Sequence, residues 1–321
     1  MDTLKINRDI VNAAKKLIVD CMGTKEDEKL LIVTDEKKFE IGYGFAVAGR
    51  ELGYNTTFVE AASQTKGEPS APVAAAMAEA DVEFLITSMS YSHVKARIAA
   101  PEKGVRVASM PMLTTEIAQD YLNADYPFIK KVSEKLADML GRAKSVRVRT
   151  EKGTDITLGL EGRPGHADTG LLTEAGALGN LPAGEAYIAP LEDVGTGTIV
   201  VDGCIAYMGM IEDDITLTLE NGRIVNIAGG KSAEDLKAFL SDKDEEATGI
   251  AEFGIGTNPA AKIIGHPLVD EKVWGTIHIA FGMNSSMGGT RDSNIHYDCI
   301  INQPTVWIDG VMVLENGKHI Y

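Results

Sequence analysis

Cysteine is scarce. The 321 residues hold three, Cys21, Cys204 and Cys299, all in apolar surroundings and without a CxxC spacing. This argues against a disulfide framework and against a structural zinc site. It fits buried free thiols in a reducing cytoplasm. Basic charge is also in the minority, with 31 Lys and Arg against 47 Asp and Glu and a formal net charge of −16. A nucleic-acid partner needs clustered basic side chains to meet phosphates, so none is expected. No apolar run approaches the roughly 20 residues of a membrane-spanning helix. The first stretch, "MDTLKINRDIVNAAKKLIVD", has no apolar signal-peptide core and reads as an amphipathic helix. Glycine fingerprints are missing too. No GxGxxG follows the first strand and no Walker lysine loop occurs, which removes the usual devices for cradling a nucleotide.

What remains is a chain with 44% hydrophobic and 24% charged residues, long enough for two domains. Its first part alternates as a parallel sheet with crossover helices does. Strands are expected at 29–35, 55–61, 82–90 and 105–111. Helices are expected at 38–54, 71–80, 114–122 and 126–143, with Thr114 as an N-cap. After residue 144 the texture changes. "SVRVRTEKGTDITLGLEG" alternates polar and apolar residues around a turn, and "LTLENGRIVNI" and "VLENGKHIY" carry Asn-Gly between alternating runs. One helix, 232–242, interrupts the strands, with Ser232 as its expected cap. The reading is an α/β chain. An N-terminal doubly wound parallel-sheet domain (1–144) without a nucleotide fingerprint precedes a β-rich α+β domain (145–321) that carries a metal site.

The chemistry-bearing residues gather in the second half. In "SNIHYDCIIN", His296 and Asp298 stand two apart in an apolar run, so a strand presents both on one face. In "WGTIHIAFG", His278 lies between isoleucines. Two imidazoles and a carboxylate are a ligand set for Zn, Mn, Co or Fe, although a lone core histidine is commonly satisfied by a backbone carbonyl. A buried Asp298 needs a cation; a metal serves, and Arg291 is the alternative. Glu185 in "NLPAGEAYIAP" and Glu252 in "GIAEFGIGTNP" are carboxylates in apolar, glycine-bearing settings, where such groups are usually paired. Glu192 and Asp193 read as a solvated turn. His166 and Asp168 in "RPGHADTG" read as an exposed loop held in reserve. His93, His266 and His319 read as structural or surface residues.

Four of these motifs, LPAGE, AEFGIGTN, GTIHIAFG and HYD, resemble in the same order those of the M29 (aminopeptidase T-like) metallo-aminopeptidases. The resemblance covers about 120 residues, and the N-terminal half fits by pattern. It implies that Glu185, Glu252, His278, His296 and Asp298 hold two divalent ions (Zn, Co or Mn). These would activate a shared water against the peptide carbonyl, with Glu185 and Glu252 as the catalytic carboxylates. It further implies a small peptide substrate and a homodimer or larger homo-oligomer. Ser285 stands where that family has a tyrosine, seven residues after the strand histidine. The chain also resembles in length the dihydroxypyridine ring-cleaving dioxygenases, which share the fold. That resemblance implies one Fe(II) on a triad of His278, His296 and Asp298 and a dihydroxylated pyridine-type substrate. In those dioxygenases the ligand at the Glu252 turn is a histidine. A non-catalytic metal-binding relative is the third reading.

Overall fold

A computed structural model describes residues 6–63, 68–89, 91, 94 and 103–321; His93 lies outside them. The chain forms two compact units, Met1–Pro127 with Gly170–Ala183, and Phe128–Thr169 with Gly184–Tyr321.

The first unit is built on a five-stranded sheet in the order Asn55–Ala61, Lys29–Asp35, Val82–Ile86, Arg106–Ser109, Leu178–Asn180. Every pairing is parallel, and the strand order is that of a doubly wound sheet. Central strands of such sheets are covered on both faces, which is why "KLLIVTD" and "VEFLI" read as nearly continuous apolar runs. Helices Arg8–Lys16, Phe39–Glu51, Ala71–Glu79 and Thr115–Asp120 accompany the strands. Thr114 caps the last of these, its hydroxyl accepting from the Ile117 amide at 3.2 Å.

The second unit packs an eight-stranded and a seven-stranded antiparallel sheet over one core. Both Asn-Gly pairs make two-residue hairpin turns. Asn221 and Gly222 have φ of +48° and +69°, and Asn316 and Gly317 have +47° and +77°, the sign a type I′ turn demands. The strands around "EKGTD" pair as a hairpin, Ser145–Arg149 with Asp155–Gly159.

The units divide the chain differently from a cut at 144. Helix Tyr126–Arg142 buries Val132, Leu136 and Leu140 in the core of the second unit. The segment 170–183 supplies the fifth strand of the parallel sheet. The cap of helix Lys231–Leu240 also differs from expectation. Asp213 accepts from the amides of Lys231 and Ser232 at 3.1 and 3.3 Å, while the Ser232 hydroxyl accepts from Glu212 and Asp213. A carboxylate at a helix N-terminus is favoured by the dipole as well as the hydrogen bonds.

Candidate metal centre

The seven-stranded sheet has the order Gly209–Met210, Cys204–Ile205, His296–Ile301, Ile277–Gly282, Ile250–Gly256, Glu185–Ile188, Gly165–Asp168. Alternation sorts its residues sharply. Phe253, Ile255, Ile277, Ile279, Phe281, Tyr297, Cys299 and Ile301 face the core. The intervening residues share the opposite face, and register aligns them. Ala280 lies opposite Asp298 and Glu252, His278 opposite Gly254, Gly254 opposite Tyr187, and Glu185 opposite Asp168. A register shift between Ile250 and Glu252 is the bulge that keeps Ile250 in the core while Glu252 turns to the site.

This face draws the five expected residues into two groups. Glu185, Glu252 and His278 form one, and Glu252, His296 and Asp298 the other; within each, one ligand atom per residue lies within 4.8 Å of the others. Glu252 belongs to both. Its Oε1 lies 3.2 Å from His278 Nε2 and its Oε2 3.2 Å from His296 Nε2. His296 Nε2 is 3.6 Å from Asp298 Oδ1, and its Nδ1 bonds the Met283 carbonyl at 2.7 Å, which fixes the ring. Among the described residues, the two imidazoles fall in different groups, each with two carboxylates.

The donor set fits divalent cations. Glu185 Oε2 lies 3.2 Å from His278 Nε2, yet it is buried and accepts no hydrogen bond. One ring nitrogen has at most one proton to share between Glu185 and Glu252, and a cation would satisfy all three atoms. Electrostatics point the same way. Burial works against a charged His278, but Glu252 and Glu185 outweigh it and lift its pKa to about 9. Burial likewise opposes ionisation of Glu252, but the two imidazoles bring its carboxyl down to about 2. Burial raises Glu185, with Glu252 and Asp168 adding to the effect and Lys272 and His278 opposing it.

Gly254 makes room for this arrangement. A Cβ there would stand 2.0 Å from His278 Nε2. Gly254→Ala is therefore expected to push the ring aside and empty the Glu185–Glu252–His278 group. Metal analysis should find about one fewer ion per chain, and urea melts a loss of about 1–3 kcal/mol from overpacking.

Two neighbours carry no sequence signal of their role. Lys272 is 1% exposed, with Nζ 2.7 Å from Glu185 Oε1 and 3.4 Å from Asp168 Oδ2, and it also bonds Glu271. It occupies one oxygen of Glu185 and leaves the other toward His278. Glu271 lies between Lys272 and Asp298, hydrogen-bonded to both.

Three expectations need correction. Arg291 does not serve Asp298; it bonds Glu246 and the carbonyls of Ile250 and Glu192. Glu192 is not a solvated turn residue. It pairs with Arg163 and accepts from Asn284 at 3.2 Å and the Thr290 amide at 2.7 Å. His166 and Asp168 form a strand, not an exposed loop, because the segment pairs with Glu185–Ile188. His278 falls in a different group from His296 and Asp298. Asp193 is exposed as expected; Ser285 is also exposed, in the short turn Ser285–Met287. His319 is structural, stacked on Trp274 at 3.7 Å. The three cysteines are buried and unpaired, and no helix among the described residues is long and apolar enough to cross a membrane.

Comparison with known proteins gives two kinds of relative. The family model described as NicX, 2,5-dihydroxypyridine 5,6-dioxygenase, matches residues 45–321. The 2,5-dihydroxypyridine 5,6-dioxygenase of Pseudomonas putida KT2440 is 28% identical over 192 residues, 56% of this chain and 55% of that protein. Aminopeptidase AmpS of Bacillus subtilis (strain 168) is 28% identical over 180 residues, 50% and 44% of the two chains. The chain thus matches about half the length of these curated relatives, and both are enzymes. The solved structure of the Pseudomonas putida dioxygenase is similar with a TM-score of 0.83 at 20% identity, over 97% of this chain and 96% of that one, a likeness of fold.

Proposed function

This chain belongs to the NicX family, and we propose that it is a metal-dependent hydrolase of aminopeptidase type, removing N-terminal residues from small peptides. The observation that carries this reading is Glu252, which offers one carboxylate oxygen to each of two groups of one imidazole and two carboxylates. Such a bridge suits a pair of divalent ions (Zn, Co or Mn). Held by Glu185, Glu252, His278, His296 and Asp298, two such ions would supply Lewis acidity toward the scissile carbonyl and lower the pKa of a shared water. The chain's own residues do the rest. Lys272 fixes Glu185, and the Met283 carbonyl fixes His296. At rest Lys272 holds one oxygen of Glu185 and Glu252 offers both of its own to the two groups, so the proton of the attacking water would reach the departing amine through an oxygen that Glu185 or Glu252 frees during turnover. A cytoplasmic setting and a homodimer or larger assembly belong to the same proposal; light scattering tests the latter.

A mononuclear Fe(II) ring-cleaving dioxygenase, acting on a dihydroxylated pyridine, is the second reading. The family match over residues 45–321 favours it. A 2-His-1-carboxylate triad would have to form across the two groups, and this weighs against it.

The test is metal stoichiometry with two substrate assays. About two Zn, Co or Mn per chain and release of aniline from aminoacyl anilides is the expected result. One iron, with oxygen uptake on 2,5-dihydroxypyridine, would replace this reading with the second. Protein that holds no metal after reconstitution would sink both and leave the non-catalytic relative.

A further inference from the structure

The face that carries the two groups is dominated by carboxylates and imidazoles. Among the described residues on it, the neutral hydroxyl is that of Tyr187. This residue follows Glu185 by two in the strand, so the side chains share the site face. It lies opposite Gly254 on one side, and Gly254 lies opposite His278. A glycine therefore separates the phenol from the imidazole, and no side chain screens one from the other. Tyr187 is close enough to Glu185, Glu252 and Asp168 to feel their charge. On its other side the ring is stacked on His166, with centroids 5.1 Å apart and planes 22° from parallel. His166 is itself held through Nε2 at 3.2 Å from the Met287 carbonyl. The tyrosine ring is thus walled, half-buried, and its hydroxyl makes no hydrogen bond among the described residues.

Hydrolysis of an amide places negative charge on the carbonyl oxygen as the water oxygen bonds to carbon, and removes it when the C–N bond breaks. Carboxylates oppose that charge, and the imidazoles are committed to the two groups. A fixed neutral donor lowers the barrier without adding charge to the resting site. We infer that Tyr187 is a catalytic residue of this centre, its hydroxyl donating a hydrogen bond to the scissile carbonyl oxygen, with His166 as a positioning residue behind it. The inference rests on the hydrolase reading. The phenol keeps its proton throughout; the water's proton leaves with the amine.

The test compares wild type with Tyr187→Phe, both loaded with zinc and checked for metal content. Tyr187→Phe should keep both ions and the wild-type melting temperature. Its kcat on an aminoacyl anilide should fall by about 10²-fold with KM little changed. Calorimetry supplies a readout apart from turnover. An aminophosphonic acid, whose tetrahedral oxygens mimic the charged intermediate, should bind the variant more weakly by a similar factor, while the matching free amino acid binds both proteins alike. Equal kcat and equal phosphonate affinity in the two proteins would overturn the role of Tyr187 and leave the hydrolase reading standing. A wild type that holds zinc, hydrolyses no anilide and binds neither ligand would overturn both.

Discussion

Glu252→Gln should leave a folded protein that holds neither metal and has lost about 10³-fold or more of its hydrolytic rate. The expectation follows from position. Glu252 is 6% exposed and presents one oxygen to His278 and one to His296, each at 3.2 Å. The amide keeps shape and volume but loses the charge and one acceptor, so each group is reduced to one imidazole and one carboxylate. Losing a single stabilising contact in an active site typically costs about 10²–10³ in kcat, and here two are lost with one residue. The pattern across variants is more telling than the size of one. Glu185→Gln should lose the ion of its own group, Asp298→Ala the other, and Glu252→Gln both, with circular dichroism unchanged. Metal analysis reads this directly. If Asp298→Ala kept its full metal content, the assignment of the His296 group would be wrong; if Glu252→Gln lost only one ion, Glu252 would not be a bridge.

Much of this centre was legible because strands alternate. His296 and Asp298 stand two apart, and His278 lies among isoleucines that must face the core, so the sequence states which face each takes. Glu252 among glycines was legible for a related reason: Gly254 is small because an imidazole fills the space above it. The parallel sheet and the Asn-Gly hairpins follow from equally local signals. Contacts made across long stretches of chain were not legible. Lys272 follows "VDE" and looks like one more surface charge, yet it meets Glu185 87 residues away. Asp168 sits among glycine and proline that suggest a loop, and only pairing with the Glu185 strand makes it part of a sheet. Arg291 is near Asp298 in sequence, but its guanidinium lies against Gly249 and reaches Glu246 instead. Nothing in the local pattern separates these outcomes. The assignment of His278 to a different group from His296 is likewise a matter of register between strands, which a single strand's sequence does not encode.

A buried carboxyl of the first unit gives the second large effect. Glu83 lies within the central strand Val82–Ile86 of the parallel sheet, opposite Leu31 on one side and Val107 on the other. It is fully buried, and among the described residues neither carboxylate oxygen has a hydrogen-bond partner. Burial alone pushes its pKa from 4.5 to about 8, as expected for a carboxyl that can ionise only by leaving an uncompensated charge among apolar side chains. The sign of the consequence is fixed. Below pH 4.5 the carboxyl is protonated in both the folded and the unfolded chain. Between 4.5 and about 8 the unfolded chain releases a proton that the folded chain retains, so stability falls as pH rises and then levels off. The full penalty is on the order of 3–5 kcal/mol, a large share of what holds a domain together. Glu83→Met, close in volume and apolar, should abolish it. The variant should be modestly more stable than wild type at pH 5 and several kcal/mol more stable at pH 9, as read from urea melts of the two proteins side by side. Parallel pH profiles would mean that Glu83 titrates normally in the folded protein, and its burial without a partner would then have to be abandoned.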